Sequence, residues 1–177
     1  MRETMSPSLL PFLGVWVSGC AAMMLPSLVP TTALVRHIGA SVAVFIATYL
    51  SVWGALGVAA FAAARAFEGN RFAAVAALAF AALYQVSPVK RASLLRCRSP
   101  LRVLMHPAFG AGLRYARDCV GCCAGLMLAF VALGAQNMLW MALAAAAIFL
   151  EKATPLGTRA SAPLAALLAA LALAVTW

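Results

Sequence analysis

The sequence predicts an all-α protein: a polytopic membrane helix bundle of about six transmembrane helices, with a basic cytoplasmic loop between the third and the fourth. Three observations predict it. Of the 177 residues, 66% are hydrophobic and 10% charged, where soluble domains carry about 45–50% and about 25%. The mean hydropathy is +1.00. The charges sit between the apolar runs rather than within them. Together these exclude a soluble globular enzyme, and also a disordered chain, which combines low hydrophobicity with high charge. The length suits a single integral membrane domain over residues 1–177.

A span takes about 20 apolar residues. The first is expected over 9–28, with Pro11, Pro26 and Pro30 marking or bending its ends. Val17-Ser18-Gly19-Cys20 resembles a lipoprotein cleavage box. The apolar run continues past Cys20 into Met23 and Met24, so it reads as a retained span. Spans two and three are expected over 40–64 and 72–86, separated by Glu68-Gly69-Asn70. Spans four and five, over 119–133 and 138–150, form a hairpin about the turn Gly134-Ala135-Gln136-Asn137. Thr154-Pro155-Leu156-Gly157 precedes the sixth, over 163–176.

Seven of the thirteen Lys and Arg residues lie within 90–117. With Arg36, Lys152 and Arg159 they put ten cations on one side, against Arg2, Arg65 and Arg71 on the other. The large loop is therefore expected in the cytoplasm and both termini in the periplasm of a bacterial inner membrane. Leu94, Leu95, Leu101, Val103 and Leu104 interleave with Arg96, Arg98 and Arg102, which predicts a short interfacial helix against anionic lipid. The net charge of +9 comes without a nucleic-acid recognition motif, so membrane lipids are the expected partners and nucleic acid is not. Five cysteines at uneven spacing make no disulfide framework.

Asp118-Cys119-Val120-Gly121-Cys122-Cys123 carries the clearest chemistry. Positions i, i+3 and i+4 share a helix face, so Cys119, Cys122 and Cys123 converge, and Met127 extends the stripe by a turn. At the expected start of span four, the helix terminus and the neighbouring Arg114 and Arg117 favour the thiolate form. Cys20, Met23 and Met24 repeat the spacing on span one, and Cys97 lies toward the same side. Thiolates and thioethers suit cuprous copper first, and zinc or iron–sulfur second.

Plainer readings stand beside these. Gly121 and Gly125 bracket the cysteines as small residues do at close helix contacts. Cys20 and its methionines read more simply as plain core, and Met138 and Met141 as core or partner-facing, while His37 and His106 read as isolated loop residues. Glu151 and Lys152 read as an interfacial ion pair, and Tyr84-Gln85 as an interfacial anchor. No nucleophile–histidine arrangement, phosphate-cradling loop or dinucleotide fingerprint is present.

Three stretches resemble a bacterial family described as predicted metal-binding integral membrane proteins. They are Ala21-Ala22-Met23-Met24-Leu25-Pro26, then Tyr84-Gln85-Val86-Ser87-Pro88-Val89-Lys90 on to Cys97-Arg98-Ser99-Pro100, and then Cys119-Val120-Gly121-Cys122-Cys123 through Met127 to Glu151-Lys152. The resemblance covers 16–152 and implies a role in handling copper or another metal, with a metal-handling partner to receive or supply it. The chain departs from the family pattern at Ser93, where the pattern has a second cysteine, at Tyr115, where it has a histidine, and at Ala124, where it has a tryptophan. Three functions follow as expectations. The first is an integral membrane protein that binds cuprous copper through Cys119, Cys122 and Cys123, with Met23, Met24, Cys97 and Met127 as further ligands, for delivery, insertion or transfer. The second is a membrane-embedded metal-dependent oxidase or oxygenase, with Tyr84, Gln85 and Glu151 lining its pocket. The third is a helix-packing subunit of a membrane complex.

Overall fold

The computed structural model describes residues 8–99, 101, 106–134, 137–154 and 157–176. Among them the chain forms seven helices: α1 (Leu9–His37), α2 (Val42–Phe67), α3 (Arg71–Gln85), α4 (Pro88–Cys97), α5 (Ala108–Gly134), α6 (Met138–Ala153) and α7 (Gly157–Thr176). No strand occurs among the described residues. Four helices, α1, α2, α5 and α7, are long and apolar enough to cross a membrane. Helices α3 and α6, of 15 and 16 residues, fall short of the about 20 that a span takes. Helices α3 and α4 together are long enough, but bend by 65° at the break between them.

Helix boundaries follow local chemistry. Gly39 and Gly69 adopt φ of 73° and 71° in the turns after α1 and α2, a region glycine enters without steric cost. Ser41, Asn70, Ser87 and Asn137 cap α2, α3, α4 and α6, each side chain accepting a backbone N–H of the first turn. Pro88 opens α4 where its missing N–H costs nothing.

Three expectations are corrected here. Helix α1 runs through Pro26 and Pro30 instead of ending near them. Among apolar neighbours a helix satisfies nearly every backbone group, and a proline removes only one bond from it. Helix α5 begins at Ala108, not at Cys119, because Ala108 to Ala116 already alternates buried and exposed positions at helical spacing. The cysteines therefore lie well inside α5, beyond the reach of a terminal dipole, which fades within the first turn. Helix α4 is the short helix expected in the basic loop, but Lys90, Ser93, Leu94 and Cys97 are buried. It is docked on the bundle rather than laid flat on lipid. The loop residues Arg102, Val103 and Leu104 lie outside the described residues.

Helix α5 is the axis of the bundle and packs against α2, α3, α4 and α6. Glycines admit three of these neighbours. A Cβ at Gly112 would meet the Phe45 carbonyl oxygen of α2 at 2.7 Å, one at Gly121 would meet Ser93 Oγ of α4 at 2.6 Å, and one at Gly125 would meet Tyr84 Cδ1 of α3 at 3.1 Å. Phe45, Tyr49, Trp53, Met24 and Leu94 fill the core. Leu10, Phe72, Leu83 and Val89 face outward, an arrangement suited to lipid as the surrounding solvent.

Candidate metal centre

Two helices build the centre. Cys119 and Cys122 sit one turn apart on the buried face of α5, and Cys97 ends α4. The close approach at Gly121 and Ser93 brings α4 to this turn of α5. The sulfurs of Cys97, Cys119 and Cys122 all lie within 4.8 Å of one another, and all three residues are buried. Metal–sulfur bonds of about 2.3 Å let two sulfurs share an ion at separations up to about 4.6 Å, so the donor set fits a thiophilic ion with small adjustment. Cys123 adjoins the group, with its sulfur 3.4 Å from that of Cys122. The five cysteines are free thiols.

Polar groups converge on Cys119. The Tyr49 hydroxyl oxygen lies 3.0 Å from its sulfur, and the Lys152 ammonium donates to that sulfur at 2.8 Å. Lys152 also reaches the Met24 sulfur at 3.4 Å. A buried ammonium against a thiol cluster offsets the negative charge that thiolates and a monovalent metal would leave together.

A second buried network lies beside the first. Glu151 forms a buried ion pair with Lys90 and accepts from Gln85 Nε2 at 2.6 Å and from Ser161 Oγ at 3.0 Å. It binds α3, α4, α6 and α7 to one carboxylate. Arg98, the residue after α4, donates to the carbonyl oxygens of Glu151 and Thr154 at 3.4 and 2.8 Å, closing the free end of α6. Outside this network, Arg96 pairs with Asp118 at 2.9 Å and ties α4 to α5 a second time.

The sequence-predicted residues are distributed as follows. Cys97, Cys119 and Cys122 come together, Cys123 adjoins them, and Met24 touches them through Lys152. Met23 is buried in the same turn of α1 as Met24. Met127 lines an apolar crevice with Trp16, Trp53, Val120 and Ala124. The two histidines lie apart from the thiols: His37 is exposed in the last turn of α1, and His106 precedes α5. Tyr84 and Gln85, read from sequence as an interfacial anchor, both find partners inside the bundle. Tyr84 donates to the Gly121 carbonyl oxygen at 2.6 Å, and Gln85 is buried against Glu151. Of the positions that depart from the family pattern, Ser93 accepts from Arg96 at 3.0 Å, and Tyr115 is buried against Phe45 and Tyr49.

Sequence reasoning missed Lys152 and Tyr49. Consecutive residues on a helix point about 100° apart, so Glu151 and Lys152 face different partners instead of each other. The available signal was a lysine at the end of an apolar helix, where an ionisable group is by default functional or paired.

Among the described residues the chain is a helix bundle with four membrane-length helices and a buried cluster of three thiols that could hold a soft metal ion. The family model described as PpoB2, copper chaperone, matches residues 13–175, and the chain belongs to that family. No curated protein and no solved structure matches the chain.

Proposed function

We propose that this protein is an integral membrane copper carrier, which takes up Cu(I) at Cys97, Cys119 and Cys122 and passes it on by exchange of thiolate ligands. The observation that carries the reading is the approach of three buried sulfurs from two helices to within 4.8 Å. A donor set of thiols suits cuprous copper, as it suits zinc or iron–sulfur, and membership of a copper-chaperone family favours copper among them. Cys123, Met24, Met23 and Met127 are the further ligands that exchange would recruit. The role is delivery, insertion into a partner or transfer across the bilayer.

The distribution of basic residues supports one orientation. Arg36, Arg91, Arg96, Arg98, Arg114, Arg117 and Arg159 belong to the end of α1, to α4 and the residue after it, and to the first turns of α5 and α7, while Arg65 and Arg71 flank the turn between α2 and α3. By the positive-inside rule this favours an orientation with these basic turns toward the cytoplasm of a bacterial inner membrane, against anionic lipid. Reduced protein purified in detergent and equilibrated with Cu(I) should hold about one copper per chain and yield it to a stronger Cu(I) chelator. Protein that takes up no copper would contradict the reading.

A further inference from the structure

A cavity of about 290 Å³ lies between α1, α4, α5 and α6, with Cys97, Lys152 and Tyr115 in its wall. Pro26, Pro30 and Ala153 on its rim are exposed, so it opens to the surface. It gives a route from outside to the thiol cluster. Helix α1, of 29 residues, is about 44 Å long, well beyond the about 30 Å of hydrocarbon. Its last turns, which carry this rim, can therefore stand at the basic boundary of the membrane.

The charge of the cavity is its unexpected feature. Arg98 and Lys152 both line it. Among the described residues, neither is paired with a carboxylate. Glu68 is taken by Arg65, Asp118 by Arg96 and Glu151 by Lys90. Arg98 donates only to carbonyl oxygens, and Lys152 donates to sulfur. Two cations without carboxylate partners, Arg98 with no anionic partner at all among the described residues, make a partly dry wall that disfavours a bare metal cation and attracts an anion. The route to a metal site thus carries the wrong sign for the free metal.

We infer that the cavity receives copper as an anionic complex, Cu(I) bound to a small thiol that carries carboxylates, with Arg98 and Lys152 attracting the carboxylates and Cys97 taking the metal. The inference rests on the copper reading proposed above. In the exchange, the Cys97 sulfur forms a bond to copper and the carrier's sulfur–copper bond breaks. The Cys97 proton passes to the carrier sulfur, which leaves as a thiol. Copper remains Cu(I), and no electron is transferred.

The test uses the full-length protein in detergent and two donors with the same sulfur: Cu(I)–glutathione and Cu(I) on glutathione diethyl ester, whose carboxylates are masked. The quantity read is the ratio of the two loading rates. Wild-type protein is expected to load at least tenfold faster from the free acid, and less so as salt screens the charges. Arg98→Gln is expected to cut the ratio at least threefold. Because Arg98 also closes the end of α6, Ser27→Asp provides a second variant, adding a negative charge to the opposite wall, and should cut the ratio similarly. A wild-type ratio near one, or a ratio that Ser27→Asp leaves unchanged, overturns the inference while leaving the copper reading intact. Failure to load from either donor overturns the copper reading, and this inference with it.

Discussion

The Lys152 ammonium donates to the Cys119 sulfur at 2.8 Å, while Glu151, the preceding residue, turns to Lys90 on another helix. The end of α6 thus serves two networks at once. One holds the thiol cluster and its counter-charge. The other fixes α4, which delivers Cys97 to that cluster.

The Lys152 charge is expected to stabilise bound copper. Three thiolates and one Cu(I) leave a net charge of −2, which the ammonium halves. A hydrogen bond to a charged partner contributes about 1.5–3 kcal/mol, and about 1.4 kcal/mol is tenfold in affinity. Lys152→Met should therefore weaken Cu(I) binding by roughly tenfold or more, read by competition with a Cu(I) chelator, whereas Lys152→Arg should retain most of the affinity. Equal affinity in wild type and Lys152→Met would show that the ammonium plays no part.

The Lys90–Glu151 pair is expected to hold α4 in place. Removing one partner of a buried ion pair costs about 3–5 kcal/mol, whereas replacing both with apolar residues is often neutral. Glu151→Gln should lower the unfolding temperature in detergent and loosen Cys97. Lys90→Met with Glu151→Met should restore most of the loss. A single variant as stable as wild type would remove this role from the pair.

Gly121 is expected to tolerate no side chain. Its Cβ would meet Ser93 Oγ at 2.6 Å and Ser93 Cβ at 2.9 Å, and Cys97 lies one turn beyond Ser93 on α4. Gly121→Ala should destabilise the protein by about 1–3 kcal/mol and reduce copper retention. Adding Ser93→Gly should recover part of both. Denaturant unfolding and copper analysis of the two variants check this. Normal copper retention in Gly121→Ala would mean that α4 does not need its close seat.

Much of the fold was legible from apolar runs and breakers. Each of the six expected spans falls on a helix, because Gly39, Gly69 and Asn137 punctuate the chain where turns need them. The start of α5 was not legible. The cations Arg114 and Arg117 looked like loop, yet on a helix they project outward while Ala111, Tyr115 and Cys119 turn inward. In the site, helical spacing joined Cys119 to Cys122. It could not place Cys97, whose approach depends on the 65° bend between α3 and α4. Nor could it place Lys152, whose partner lies 33 residues away in sequence.

Copper content tests the central claim most directly. Reduced protein purified in detergent would be loaded with Cu(I), desalted and analysed for metal beside Cys97→Ser, Cys119→Ser and Cys122→Ser, with circular dichroism to verify folding. The account predicts about one copper per chain in the wild type and a large loss in each folded variant, because each removes one of three sulfurs that lie within 4.8 Å of one another. Full copper content in the folded Cys119→Ser and Cys122→Ser variants, or none in the wild type, would contradict it.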